Sequence, residues 1–251
     1  MMSVRPFMGL WHAEIRRMLR DRRFLILALA MPIAFYLIFV NQQGTNAAAR
    51  IDGTVWSAYF MASMAAFGAL STSVSAFSTR LAAERQNGWV RWLRTTPLTS
   101  WQYALAKVCT QLTMTLAVIV LVFLVGHFSQ QVNLPLLRWL EVGLWLWIAS
   151  LPFAALGLLI GMSGSAAQVL STLAYLALSL LGGLWTPVSA MNSTMQAIAK
   201  WMPTYHFAHP AWDLLAGRAI EPSDVAMLLA YALIFMGIAA WVQRNGDDKS
   251  T

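Results

Sequence analysis

Six long apolar runs alternate with shorter polar intervals along this chain. A helix needs about 20 consecutive apolar residues to cross the hydrocarbon core of a bilayer, and the runs approach or exceed that length. We therefore predict transmembrane helices at 24–40, 55–78, 108–126, 140–162, 166–185 and 225–242. Pro32 in the first of these and Pro152 in the fourth predict a kink or a break. The pattern predicts an all-α integral membrane protein with a single transmembrane domain, 1–251.

Small residues set the second predicted span apart from the others. Ala, Gly and Ser occupy ten of the positions from Ala62 to Ala76. Small side chains let helix backbones approach closely, which predicts a helix packed against other helices. Lining of a polar pathway is a second interpretation of the same composition. In the third span, Gln111 is predicted to form a hydrogen bond between helices.

The segment 6–23, which precedes the first span, is amphipathic. Its apolar residues fall on one helical face at about 100° per residue, and its arginines fall opposite. This pattern predicts an interfacial helix on the inner leaflet, with arginines near anionic headgroups. Glu14 lies on the apolar side and therefore requires a partner, either Arg17 or a basic residue in another element.

The interval 80–107, between the second and third spans, is the longest charged interval between apolar runs. It contains five basic residues and a single acid, Glu84. We predict two short helices, 81–86 and 89–94, which are separated by Asn87-Gly88. Pro97 would end the second, and Thr99 would cap the next helix. A structured cytoplasmic loop of this kind indicates a docking surface.

The interval 186–221, before the last span, is too polar to cross a membrane. We predict two short helices there, 193–201 and 207–216, which Pro203 separates. A pair of half-helices that re-enters the membrane is tolerated only where protein or water shields its backbone. An external loop carrying two surface helices is the alternative.

The distribution of basic residues predicts the orientation of the chain. Six spans place both termini on one side, and that side carries 13 of the 17 Lys and Arg residues. The 13 are Arg5, Arg16, Arg17, Arg20, Arg22, Arg23, Arg80, Arg85, Arg91, Arg94, Lys107, Arg244 and Lys249. Because basic residues are enriched on the cytoplasmic side, we expect both termini in the cytoplasm.

The composition supports an integral membrane protein and argues against a soluble or nucleic-acid-binding protein. The chain is 59% hydrophobic and 11% charged, whereas about a quarter of the residues of a soluble domain are charged. Its net charge of +7 is too small and too localised for a nucleic-acid surface. Cys109 is the single cysteine, which excludes an intrachain disulfide and a cysteine metal cluster.

Motifs for catalysis and nucleotide binding are absent from the sequence. It contains no P-loop, GxGxxG, HExxH or GxSxG motif, so we predict no catalytic, cofactor or metal site. His206 and His209 lie close in sequence, but we expect no acid at metal-ligand spacing beside them and a structural role for the pair. A transporter built this way must draw its energy from a partner protein.

Two stretches and the predicted topology resemble a known family. The loop matches at Glu84, Arg85, Gly88, Trp92, Leu93, Arg94, Thr96, Pro97 and Lys107, and a later block matches at Gly182, Gly183, Pro187 and Pro203-Thr204-Tyr205. In the last of these, the spacing between the proline and the tyrosine is one residue shorter than in the family pattern. Over essentially its whole length, the chain resembles the permease subunit of ABC-2 type ATP-binding cassette exporters.

The resemblance implies an ABC-2, type V exporter-like fold with a definite set of partners. Two permease copies, expected as a homodimer, would pair with two cytoplasmic ATPase subunits in a bacterial inner or plasma membrane and contact its lipids. ATP and Mg²⁺ would bind only the ATPases. Segment 6–23 would be the elbow helix and 84–94 the coupling helix, and the first, second and fifth spans would border the pathway at the dimer interface.

The resemblance also assigns candidate residues. The ATPase-coupling residues would be Glu84, Arg85, Gly88, Trp89, Trp92, Arg94 and Pro97, and the elbow-helix residues Trp11, Glu14 and Arg17. The pathway or dimer-interface residues would be Ser63, Phe67, Ser71, Leu180, Gly182 and Gly183. For Trp89 and Trp92, anchoring at the membrane interface is the alternative to docking into an ATPase groove.

Two other function classes remain open from the sequence. One is a membrane enzyme that modifies lipids at the outer face with His206, His209 and Asp213. The other is a membrane sensor or immunity protein whose ATPase partner only signals. For an exporter, the cargo would be drug-, lipid- or peptide-like. Ser, Ala, Met and aromatic side chains along the pathway would fit amphipathic or lipid-like cargo, but membrane helices have that composition in any case.

Overall fold

The computed structural model describes residues 4–20, 22–41, 49–88 and 100–247, and these residues are almost entirely helical. The chain begins with α1 (Val4–Arg20) and α2 (Arg22–Asn41). A two-residue β-hairpin, β1 (Arg50–Ile51) and β2 (Thr54–Val55), pairs Arg50 with Val55 and Ile51 with Thr54 in antiparallel register. The remaining helices are α3 (Trp56–Ser71), α4 (Phe77–Gln86), α5 (Ser100–Gln130), α6 (Leu136–Ile148), α7 (Leu151–Gly161), α8 (Ala167–Leu181), α9 (Ser193–Ala199), α10 (Pro203–Leu215) and α11 (Pro222–Asp247).

In the described part of the chain, five helical segments are long and apolar enough to cross a membrane. They are Trp56–Gln86, Gln102–Gln130, Leu136–Gly161, Gly164–Leu181 and Pro222–Val242. These segments confirm the prediction of an all-α membrane protein and coincide with the second to sixth predicted spans. The first predicted span, 24–40, falls on α2, whose apolar part within the described side chains is the shorter Leu29–Asn41.

The helix that begins with α3 lies at the centre of the molecule. Ser57–Leu70 is buried throughout, and α3 packs against α2, α5 and α10. A Cβ atom built on Gly68 would lie 2.4 Å from Val118 Cγ1 of α5, so only glycine allows the two helices to approach this closely. The small residues of this span therefore serve close helix packing in this conformation, as one of the two interpretations predicted.

A π-helical turn, Thr72–Ala76, joins α3 to α4 without interrupting the helix. The helix thus continues from Trp56 to Gln86, and the predicted helix 81–86 forms its last turns. It ends at the predicted break, where Gly88 has a φ of +69° that favours glycine. At the far end of the loop, α5 begins at Ser100, so 100–107 is continuous with the third span. The predicted helix 89–94, with Trp89, Trp92, Arg94, Pro97 and Thr99, lies outside the described residues.

The fourth span is broken, as its proline predicted. α6 ends at Ile148, and α7 starts at Leu151 with Pro152 in its first turn, where proline removes no hydrogen bond within the helix. Two glycines of α7 then allow backbone contact with the π turn and α4. Added Cβ atoms would lie 2.2 Å from Ser73 O at Gly157 and 3.1 Å from Ser78 O at Gly161.

The interval before the last span contains two short helices, with one boundary different from the prediction. α9 begins after Asn192, whose side chain accepts a hydrogen bond from the backbone N–H of Met195 at 2.9 Å. α10 begins at Pro203, not at 207, because proline fits the first helical turn, where the backbone N–H would be unpaired anyway. Nearly all of α10 is buried, and it packs against α3, α6 and α11.

Candidate functional site

A buried charged cluster lies where α1, α4 and α5 meet, and Lys107 is at its centre. Lys107 Nζ donates hydrogen bonds to Glu14 Oε1 of α1, at 2.7 Å, and to Glu84 Oε1 of α4. The lysine side chain is 8% exposed, and the two glutamate side chains are 7% and 3% exposed. Tyr103 OH donates to Glu84 Oε2 at 2.7 Å, and Arg17 Nη1 lies 3.7 Å from Glu84 Oε1. We call these five residues the Lys107 cluster.

The amphipathic pattern of α1 explains how Glu14 enters the cluster. Leu10, Glu14 and Met18 follow one another at spacings of four residues, and all three are buried. The sequence predicted a basic partner for Glu14, either Arg17 or a residue in another element. The structure shows that the partner is the basic residue of another element, Lys107, whereas Arg17 contacts Glu84.

The electrostatics of the cluster make it sensitive to the relative positions of three helices. One ammonium group pairs with two buried carboxylates, and the exposed Arg17 supplies a second positive charge at longer range. Burying an ion pair gives little net stability, but removing one partner leaves an uncompensated buried charge. Separation of α1, α4 or α5 would therefore be costly unless the three helices move together.

A ladder of polar contacts continues from the cluster along α5. Gln111 Nε2 donates to Ser73 Oγ at 3.2 Å and to Thr115 Oγ1 at 3.1 Å, and Thr115 and Thr72 hydroxyls are 3.2 Å apart. The predicted inter-helix hydrogen bond of Gln111 is thus confirmed. The ladder contacts the π turn itself, and π turns occur frequently at functional sites. A small cavity lined by Glu14, Lys107 and Gln111, among others, lies between the cluster and the ladder.

Arg85, Gly88 and Trp11 are the other predicted coupling and elbow residues that the structure describes. Arg85 is exposed beside Glu84, and Gly88 lies two residues beyond the end of α4. Trp11 is partly buried on α1, with its ring centroid 5.9 Å from that of His12. Sequence patterns identified Glu14, Glu84 and Lys107 separately but missed their convergence, because the contacts join residues up to 93 positions apart.

The predicted pathway or interface residues occupy two environments. Ser63 and Phe67 are completely buried in α3, where Ser63 Oγ accepts a hydrogen bond from Trp212 Nε1 at 2.9 Å. Gly182 and Gly183 are also buried, and Gly183 has a φ of +84°. Ser71 is partly buried, whereas Leu180 on α8 is 47% exposed.

A second polar cluster joins α10 to the start of α11. His206 Nδ1 lies 2.6 Å from Asp224 Oδ1, and His209 Nδ1 lies 2.9 Å from Asp224 Oδ2 and 3.5 Å from Asp213 Oδ2. Arg218 Nε donates to Asp213 Oδ1 at 2.7 Å. We call these five residues the Asp224 cluster. The expectation that no acid lies beside the two histidines is wrong, because Asp213 follows His209 by one helical turn and Asp224 packs against both rings.

The spacing of His209 and Asp213 was a signal in the sequence, whereas the position of Asp224 was not, because tertiary packing brings α11 to α10. Burial lowers the pKa of His209, but the hydrogen bond to Asp224 and the negative charges of Asp213, Asp224 and Glu221 outweigh burial and raise it overall. Burial, together with the same acids, raises the pKa of the neighbouring Tyr205 to about 12.

Two comparisons with known proteins cover most of the chain. Residues 5–215 match the family described as ABC-2 type transporter. The chain is also 35% identical over 237 residues to a Bacillus subtilis (strain 168) protein named "Putative transport permease YvfS". That similarity covers 94% of this chain and 96% of the relative.

Proposed function

The chain belongs to the ABC-2 type transporter family, and from that premise we propose that it is the permease subunit of an exporter driven by a separate ATPase. It is a multi-pass membrane protein and a relative of a transport permease. The observation that carries the proposal is the Lys107 cluster. It joins the proposed elbow helix, the end of the second span and the start of the third span at the base of the proposed coupling loop.

The cluster would transmit force from the ATPase to the spans. Glu84 lies near the start of the loop 80–107 and Lys107 at its end, so their ion pair holds the two described ends of the loop together. The helix Trp56–Gln86 has 31 residues and is about 46 Å long, which makes it a continuous lever from the loop to the centre of the molecule. Movement of the loop by an ATPase would displace α4 and α5 as a unit.

Six spans, two cytoplasmic termini and a permease dimer complete the proposed architecture. α2 would be the first of the six spans, and α1 would be the elbow helix that lies on the inner leaflet. The second copy of the permease would complete the pathway beside α2, α3 and α8. The exposed apolar residues of α8, including Val169, Leu173 and Leu180, are suited to contact with lipid or the second copy. Burial of α10 among α3, α6 and α11 supports the re-entrant alternative for this helix, because protein would shield its backbone.

Reconstitution with and without an ATPase tests this proposal. The chain is co-expressed with a candidate partner ATPase, and ATP-dependent flux into vesicles is measured for fluorescent lipid, amphipathic drug and peptide cargoes. We expect Glu84→Ala and Gly88→Pro to abolish flux while membrane insertion remains normal. Glu141→Ala is the matched control, because it removes a carboxylate from the partly exposed Arg138–Glu141 ion pair of α6, away from the loop. Normal flux in Glu84→Ala and Gly88→Pro would refute the proposal.

The same assay distinguishes the two other function classes. A lipid-modifying enzyme would act in vesicles without nucleotide or ATPase, and His206→Ala would abolish that activity. A sensor or immunity protein would bind the ATPase without moving any cargo. Dependence of flux on the ATPase is the result that we expect.

A further inference from the structure

Asp224 is a buried carboxylate that contacts two imidazole rings. Asp213 is paired with Arg218, whose Nε and Nη2 both lie 2.7 Å from Asp213 Oδ1. Asp224, with a side chain that is only 2% exposed, has two imidazole nitrogens as its side-chain contacts in the described part of the chain. A buried carboxylate needs hydrogen-bond donors or a positive charge beside it, and a cation bound at one of these imidazoles would supply that charge.

His206 is not suited to bind that cation. Its Nδ1 faces Asp224 Oδ1, while its Nε2 is buried and has no hydrogen-bond partner among the described residues. His209 Nδ1 instead faces both acids, at 2.9 Å from Asp224 Oδ2 and 3.5 Å from Asp213 Oδ2. The position for a cation is therefore at His209 Nδ1, which lies between Asp224 and Asp213.

We propose that His209 Nδ1, Asp213 Oδ2 and Asp224 Oδ2 bind a divalent transition-metal ion of the Zn²⁺ class. The three ligand atoms lie within 4.8 Å of one another, and the two distances from His209 Nδ1 are 2.9 and 3.5 Å. Zinc binds imidazole nitrogen and carboxylate oxygen at about 2.0–2.2 Å, so adjacent ligands around one ion stand about 2.9–3.5 Å apart. One nitrogen and two oxygens are also a ligand set that zinc accepts, with water in the remaining position.

Each ligand is already held by a partner outside the site, as metal ligands commonly are. Arg218 holds the other oxygen of Asp213, and His206 Nδ1 holds the other oxygen of Asp224. The Tyr205 ring stacks on the His209 ring with centroids 4.8 Å apart and an interplanar angle of 21°. The His209 side chain is 23% exposed, which gives an ion access from solvent. A bound ion would fasten α10 to the first turn of α11.

Zinc binding by the purified full-length chain tests the proposal without an ATPase or a cargo, and so independently of transport. The chain carries a tag without histidine, is stripped with EDTA and is dialysed against Zn²⁺, and bound metal is measured by mass spectrometry. We expect one Zn²⁺ per chain, with affinity lowered at least about tenfold in His209→Gln and in Asp224→Asn. His127→Gln is the matched control, because His127 Nδ1 contacts a backbone carbonyl outside the cluster.

Zinc uptake that is absent from the wild-type chain, or unchanged in His209→Gln, would overturn the proposal. X-ray absorption at the zinc edge of the wild-type chain gives a second readout that does not depend on how the variants fold. We expect a shell of nitrogen and oxygen at about 2.0–2.2 Å that contains one imidazole. A sulfur ligand, which only Cys109 and methionines could supply, or a shell of several imidazoles would also overturn it.

Discussion

Replacement of Lys107 by methionine should strongly destabilise the protein. Methionine fills much of the space of the lysine stem but removes the ammonium group that pairs with Glu14 and Glu84. The two glutamate side chains are 7% and 3% exposed, so water cannot replace the lost partner. Removing one partner of a buried ion pair costs about 3–5 kcal/mol, and we expect the free energy of unfolding to fall by that amount. Arg17 offers little compensation, because it is 62% exposed and lies 3.7 Å from Glu84.

A second variant separates the effect of charge from that of packing. Combining Lys107→Met with Glu14→Gln and Glu84→Gln removes every buried charge of the cluster at similar volume, and such replacements are often neutral. The triple variant should therefore recover most of the stability that the single variant loses. The free energies of unfolding are measured by titrating the purified chain with SDS in mixed micelles.

Two results would refute this account of the cluster. A loss below about 1 kcal/mol in Lys107→Met is the value for a solvent-exposed pair and would show that the three side chains are hydrated. A triple variant as unstable as the single one would show that packing of the lysine stem, not charge, stabilises the site. If the cluster also couples the ATPase to the spans, the triple variant should be stable and yet fail to transport.

Three further predictions concern packing around the central helix. Gly157→Ala should destabilise the protein by about 1–3 kcal/mol, because the added Cβ would lie 2.2 Å from the Ser73 carbonyl oxygen. Gly237→Ala is the control, because Gly237 has open space around it, and it should be neutral or stabilising. Unfolding of both variants is followed in the same micelles. Equal effects of the two alanines would contradict the close contact. Trp212→Phe should lower the free energy of unfolding by about 1–3 kcal/mol in the same assay, because it removes the N–H that donates to the fully buried Ser63 hydroxyl. A variant as stable as wild type would contradict this. Gln111→Leu should lower transport more than stability, since it cuts the ladder beside the π turn, and unchanged ATP-dependent flux would argue against a role for the ladder.

The local features of this fold could be predicted from the sequence because their causes are local. Apolar runs predicted the spans, Pro152 predicted the break between α6 and α7, and Asn87-Gly88 predicted the end of α4. The start of α10 was placed four residues too late, because Pro203 was interpreted as a separator although proline also begins helices.

The composition of both clusters could not be predicted in the same way. Lys107 contacts residues 93 and 23 positions away, and Asp224 contacts a histidine 18 positions away. No periodicity within one helix encodes such contacts. What the sequence did contain was an acid on an apolar face, Glu14. This anomaly correctly indicated a basic partner but left open whether that partner was Arg17 or a residue in another element.

α7 is the element that connects the two clusters. It packs against α4 and the π turn on one side and against α11 on the other, and the first turn of α11 supplies Asp224. Gly157 and Gly161 allow its backbone to lie directly against the helix Trp56–Gln86, which contains Glu84, so these two positions have no side chain to absorb a displacement. A shift of α4 driven through the Lys107 cluster should therefore move α7 with it and pull on α11. Since α10 is held to α11 through Asp224, the Asp224 cluster would provide one route by which this displacement reaches α10, beside the direct contact of α10 with α3.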